Sequence, residues 1–314
     1  SVDATTTAFG FDTTKGTNLD PVKAFAEKND NLTIAAGAHV AGSTIDGRDG
    51  NDTITIAADQ SVDLSKATIT SFEALAVTAG TDGNTTNVTL TTKQHNDTFS
   101  GADSITGGEK TQITLASGTD PVTGDAEIAT YVVNSTAHFT VGAAAQNVTG
   151  SAGDDTVILG AEAYTGAIDG GGGDGDTLSV ADGTNISGAS VSNFENLTLA
   201  SGATVTMTVD QLNAFTGTIT AEGSEETVTL SESGTIDGGM LTAIETIATA
   251  SGGTEKITLT AADADGKTLT ATDEATDAFV ITASDGAQDV TGSAGADTLD
   301  GGDGNDELDG GAGN

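Results

Sequence analysis

The sharpest chemistry in this chain lies at its C-terminal end. Gly292-Ser-Ala-Gly295-Ala-Asp297-Thr-Leu299-Asp300 is followed at once by Gly301-Gly-Asp303-Gly304-Asn-Asp306-Glu-Leu308-Asp309, and Gly310-Gly-Ala-Gly313-Asn314 begins a third copy. The pattern is G-G-x-G-x-D-x-U-x, with U apolar. Its spacing has a physical purpose. Glycines let the backbone turn tightly and aim carbonyl oxygens inward. The sixth-position Asp adds a carboxylate. A calcium ion takes about six to eight oxygens at roughly 2.3–2.6 Å, so a carbonyl-plus-carboxylate turn suits it. The apolar eighth residue starts a strand and points into a core.

Single copies occur further back. Gly47-Arg-Asp49-Gly50-Asn-Asp52-Thr-Ile54 and Gly150-Ser-Ala-Gly153-Asp-Asp155-Thr-Val157 keep the spacing. Gly171-Gly-Gly-Asp174-Gly-Asp176-Thr-Leu178 has Asp174 at the fourth position, where it is a candidate extra ligand. Gly101-Ala-Asp103-Ser-Ile105 keeps half of the motif. The candidate metal residues are therefore Gly47, Asp49, Gly50, Asp52, Gly150, Gly153, Asp155, Gly171, Asp174, Asp176, Gly292, Gly295, Asp297, Gly301, Asp303, Gly304, Asp306, Gly310 and Gly313.

On these motifs the chain resembles the RTX family of calcium-binding repeats, most closely over residues 292–314. The resemblance implies parallel β-roll turns, several bound Ca²⁺ ions, folding triggered by calcium outside the cell, and type I secretion. The family's C-terminal secretion signal is not among these residues, so the natural chain is expected to continue past Asn314. Phe72-Glu73-Ala-Leu75 and Phe194-Glu195-Asn-Leu197, with a weaker echo at Ile244-Glu245, look like units of RTX-containing bacterial S-layer proteins and large surface adhesins. Phe72, Phe194 and Ile244 read as core plugs. Glu73, Glu195 and Glu245 either bind calcium or cap a strand end, and the structural role is preferred.

Composition agrees. The chain has 314 residues, 47 acidic against 9 basic side chains, and a formal charge of −38. That charge opposes binding to nucleic-acid phosphates. Cancelling it would take about nineteen Ca²⁺ at +2 each, so much of the acidity belongs to solvated surface or to contacts between molecules. The absence of Cys excludes a disulfide scaffold and a thiol nucleophile. No apolar run is long enough to span a bilayer as a helix. Gly170-Gly-Gly-Gly-Asp-Gly175 matches G-x-G-x-x-G only formally, because Asp174 and Asp176 would repel a pyrophosphate. His39, His95 and His138 have no motif partners, and the chain reads as a non-enzyme.

The elements that must position these turns are short. Thr alternates with Val, Ile or Leu, as at Thr53–Ile56, Val88–Thr92, Val205–Val209, Val228–Leu230 and Ile257–Thr260. Period two means half-buried strands. One short N-terminal helix is expected over residues 20–28, with Asp20 as N-cap and Pro21 first, and one helical turn at Asp210–Asn213. Repeats are irregular. Ala145–Val157 returns 142 residues on at Ala287–Leu299, and Val88–Gly101 matches Val205–Gly217 with Gln94 on Gln211 and Phe99 on Phe215. Degenerate repetition of small β-formers predicts an all-β parallel β-roll or β-solenoid, whose narrow core needs little bulk. The expected organisation is an N-terminal segment 1–40, repeat units 41–140 and 141–282, and RTX nonapeptides 283–314. The expected function is that of an extracellular, calcium-stabilised structural protein of a bacterial surface layer or matrix. Its expected partners are copies of itself and a cell-surface polysaccharide. The alternative is a calcium-binding segment of an RTX adhesin.

Overall fold

The computed structural model describes residues 22–23, 29–34, 40–81, 83–99, 104–134, 138–223, 225–237, 244, 246–249, 256–260, 267–270, 278–282 and 289–311. The chain divides into two compact units, residues 1–155 and 156–314. Each is a parallel β-solenoid with very little helix.

In the first unit Asn31–Ile34, Thr53–Ile56, Ala74–Val77 and Ile105–Thr106 form one ladder, with Leu32 on Ile54, Ile54 on Leu75 and Leu75 on Ile105. A second ladder stacks Val88 on Ile113 and Ile113 on Tyr131, and Tyr131 in turn on Val148. In the second unit Leu178 lies beside Leu197 and Leu197 beside Ile219, while Val205, Val228 and Ile247 form another column. Partners lie one coil apart in sequence. Among the described residues the shortest coils advance 17 residues, as from Val132 to Thr149, and the longest takes Leu75 to Ile105, 30 on.

This spacing explains an unusual feature. Parallel strands are commonly covered on both faces and read as continuous apolar runs. Here they alternate, because the return path is the rest of the coil rather than a covering helix. Thr53–Ile56 and Thr227–Leu230 both turn threonines outward, half-buried, and bury every second residue. Columns of Ile, Leu and Val fill the interior, and Thr lines the outer face, where β-branched side chains suit a pleated surface.

Glutamines tie coil to coil. Gln94 Nε2 donates to the carbonyls of Leu64 and Ala67 at 2.8 and 3.1 Å. Gln211 Nε2 donates to Ile186 and Ala189 at 2.7 and 2.9 Å, and Gln146 Nε2 to Asp125 and Ile128 at 2.9 Å each. In each case one amide satisfies both ends of a four-residue turn in the preceding coil. The match of Gln94 with Gln211 in sequence is thus the same device used twice.

The helical turn expected at Asp210–Asn213 is present as Val209–Asn213, closed by a Thr208–Gln211 capping box. The helix expected over 20–28 gives way to a strand at Val22–Lys23. Val22–Lys23 form a strand paired with Ile45–Asp46, and the other residues of that segment lie outside the described ones. Ladder hydrogen bonds to the next coil outweigh a local capping signal. Among the described residues no helix is long and apolar enough to cross a membrane.

Candidate calcium turns

Each strand that follows a motif turn is preceded by an acid. Asp52, Asp155 and Asp176 are buried, and Asp297 and Asp306 are half-buried. The motif's fourth- and third-position side chains point the other way: Asp49, Asp174 and Asp303 are exposed. Gly47, Gly150, Gly292, Gly295 and Gly301 are buried, Gly153 and Gly171 half-buried, and Gly50, Gly304 and Gly310 exposed. Gly313, the half-motif Asp103, and Glu245 lie outside the described residues.

The turn 47–52 shows the local chemistry best. The Asp30 backbone N–H donates to Asp52 Oδ1 at 2.7 Å, and the Asp52 N–H donates to Glu73 Oε2 at 2.7 Å. Three acids from three successive coils are thereby stacked. Burial, opposed by the Asp30 N–H and reinforced by the charges of Asp30 and Glu73, pushes the Asp52 carboxyl above the usual carboxylate range. Asp52 is fully buried, and its Oδ2 accepts no hydrogen bond.

Calcium fits this arrangement. A buried carboxylate oxygen without a donor, among like charges, is stabilised by a hard cation and by little else. The first-position glycines keep the space open. A Cβ on Gly47 would sit 2.6 Å from Asp52 Oδ2, and one on Gly292 would sit 2.7 Å from Asp297 Oδ2. Among the described residues no three His, Cys, Asp or Glu side chains gather as a metal cluster. Backbone carbonyls must then supply most of the oxygens, as a glycine-rich turn allows.

The turns fall into two classes that the motif alone does not separate. In the first, an Asp precedes the first glycine and caps the turn. Asp46, Asp169, Asp300 and Asp309 accept from the N–H of Arg48, Gly171, Gly302 and Gly311 at 2.9–3.2 Å. Those four donors all lie in the left-handed region, with φ of 67, 98, 72 and 72°. In the second class a Thr precedes and a Ser follows the glycine. Ser151 donates to Asp155 Oδ2 from its N–H at 2.6 Å and from its Oγ at 2.7 Å. Ser293 donates its N–H to Asp297 Oδ2 at 2.6 Å, and its Oγ lies 3.0 Å from both carboxylate oxygens.

This grouping re-reads one motif. The Gly170 N–H donates to the Ser192 carbonyl as the Gly47 N–H does to Thr70, and each glycine lies against the next residue's carbonyl. Gly170, rather than Gly171, therefore occupies the position of Gly47. The turn 170–176 is one residue longer than 47–52, and Asp174 stands in the added length rather than in place of a glycine. The ladders on either side are fixed, so the extra residue is taken up in the turn.

Arg48 occupies in the first class a position that is otherwise glycine. An L-residue pays about 1–2 kcal/mol for left-handed backbone, partly offset by the lower chain entropy of a non-glycine. Arg48→Gly is expected to stabilise the chain by roughly 0.5–1 kcal/mol in a denaturant melt.

Several contributors carry no RTX signal. Asp30 lies outside any motif, yet it precedes Asn31–Ile34 as Asp52 precedes Thr53–Ile56. Glu226 is fully buried before Thr227–Leu230 and accepts from the Gly202 and Glu225 N–H groups at 3.0 Å each. Glu73 and Glu195 accept the N–H of Asp52 and Asp176, which is the structural role preferred for them. Phe72, Phe194 and Ile244 are buried. An acid directly before a Thr-or-Asn strand start is the signal that would have found Asp30 and Glu226. His95 is also buried, with Nε2 3.2 Å from Tyr131 Oη and 3.1 Å from Asp125 Oδ2.

The chain matches the family model of the RTX calcium-binding nonapeptide repeat, four copies, over residues 43–55, 142–163 and 282–314. No curated protein and no solved structure matches.

Proposed function

We propose that this chain, whose RTX nonapeptide repeats bind calcium, is an extracellular structural segment of a bacterial surface layer or matrix that assembles with copies of itself when calcium is present. One observation carries the reading. The calcium turns are not a tail attached to another fold. Thr53–Ile56 follows a motif turn, Ala74–Val77 follows the motif-free Ser71-Phe72-Glu73 turn, and the two strands pair in continuous register. Motif and motif-free coils build one scaffold, so calcium sets the stability of the scaffold itself.

The net charge of −38 makes contacts between copies unfavourable without a counter-ion. Calcium at those contacts removes the repulsion. Electron microscopy and light scattering of the purified chain with and without a few mM CaCl₂ test this. Ordered sheets or fibres that dissolve in EGTA are expected. A calcium-folded chain that stays monomeric would replace this reading with that of an adhesin segment, and its ligand would then be sought among cell-surface polysaccharides.

A further inference from the structure

We infer that Ser151 and Ser293 are built-in stand-ins for the cation. They let their own turns keep shape without calcium, whereas the turn 47–52 depends on the ion. The inference rests on calcium binding by the repeats and not on assembly between copies.

The contrast is geometric. A sixth-position carboxylate buried in a turn needs hydrogen-bond donors or a cation against it. At Asp155 a backbone N–H and a hydroxyl converge on one oxygen at 2.6 and 2.7 Å. At Asp297 the N–H and hydroxyl of Ser293 reach one oxygen, the hydroxyl also faces the other at 3.0 Å, and the Phe279 N–H of the preceding coil donates to that second oxygen at 2.8 Å. The Ser side chain also fixes the turn itself, since the Gly153 and Gly295 N–H groups donate to its oxygen at 3.1 and 3.0 Å. One hydroxyl thus links the glycine at position four to the carboxylate at position six.

The turn 47–52 has none of this. Its second residue is Arg48, whose N–H donates to Asp46 from a left-handed backbone and whose side chain is exposed. Asp52 accepts from the Asp30 N–H of the preceding coil on Oδ1 and receives no donor from its own turn, whereas Asp155 and Asp297 each receive an N–H and a hydroxyl from theirs. The two classes therefore differ in what holds the acid before calcium arrives. Charge-assisted hydrogen bonds of this kind are among the strong ones. The serine turns are then fixed points from which the ion-dependent coils order when calcium binds.

Hydrogen exchange read by mass spectrometry on the full chain tests this, in mM CaCl₂ and in EGTA. In EGTA the wild type is expected to keep protection across 150–157 and 292–299 and to lose it across 47–54. Ser151→Ala and Ser293→Ala are expected to lose about tenfold or more of the EGTA protection in their own turns, with little change in calcium. Ser151→Thr and Ser293→Thr, which keep the N–H and the hydroxyl, are expected to retain it. Equal loss at all three turns in EGTA, or Ala variants as protected as wild type, would overturn the inference. Protection at 47–54 that ignores calcium would instead remove the ion dependence of that turn. Failure to form sheets or fibres would touch only the assembly reading.

Discussion

Asp52→Asn is expected to stabilise the calcium-free chain and to destabilise the calcium-loaded one. Without the ion, Asp52 is a buried charge stacked between Asp30 and Glu73, with one oxygen lacking a donor. Asn keeps an oxygen for the Asp30 N–H and removes the charge. With the ion, the same change removes a carboxylate ligand. Effects of about 1–3 kcal/mol in each direction are expected, or several degrees of midpoint for a unit of this size. Thermal melts of wild type and variant in EGTA and in mM CaCl₂ check the sign reversal. A variant that lost stability equally in both would make Asp52 a packing residue.

The pH dependence follows the same logic. Burial holds the Asp52 and Asp155 carboxyls above the usual carboxylate range, with Ser151 working against the shift at Asp155. An acid with a raised folded pKa binds its proton more tightly when folded. Its favourable contribution is complete below the unfolded pKa and is lost as pH rises through the folded one. In EGTA, stability is therefore expected to increase as pH falls from neutral toward the acid range, aided by relief of the overall negative charge. In calcium the trend reverses, because protonation competes with the ion. Melts across that range show whether the two curves have opposite slopes, and Asp52→Asn should flatten the EGTA curve.

Much of the fold was legible because the alternation of Thr with Ile, Leu or Val is strict. Thr53–Ile56 and Thr227–Leu230 are strands with the expected buried faces, and the Gln94–Gln211 match marked a real inter-coil tie. What stayed hidden depends on neighbours one coil away. Val22–Lys23 carries local helix punctuation, but its strand partner is Ile45–Asp46. Asp30 and Glu226 have no motif glycine spacing before them, so only their place before a strand betrays them. The nonapeptide pattern also treats Arg48, Gly302, Ser151 and Ser293 as one position. The difference between a left-handed backbone and a serine that grips the acid lies in the preceding Asp or Thr, which the pattern leaves unspecified. The extra residue in 170–176 was likewise invisible until Gly170 was seen doing the work of Gly47.

That equivalence leads to the largest expected loss. Gly170→Ala should destabilise the second unit by roughly 2–4 kcal/mol. A Cβ on Gly170 would overlap the carbonyl oxygen of Asn193 in the next coil and come within 3.0 Å of Asp176 Cβ. The obstacle is backbone, and it is held. Asn193 sits in the left-handed region at φ 55°, its amide donates to Asp169 Oδ1 at 2.7 Å, and Gly170 itself donates to Ser192. Moving that carbonyl means opening the ladder between Ala167–Asp169 and Ser190–Ser192. Gly47→Ala is expected to act alike on Ser71, which shares the φ of 55°. Gly172→Ala is the control, since a Cβ there meets nothing within 4 Å, and it should cost less than about 0.5 kcal/mol. Calcium should not rescue Gly170→Ala, because the overlap is with a neighbouring coil rather than with an ion site. A melt in which mM CaCl₂ restored the variant to wild-type stability would show that the coils can separate at this turn, and that the glycine serves the ion instead of the close approach of the two backbones.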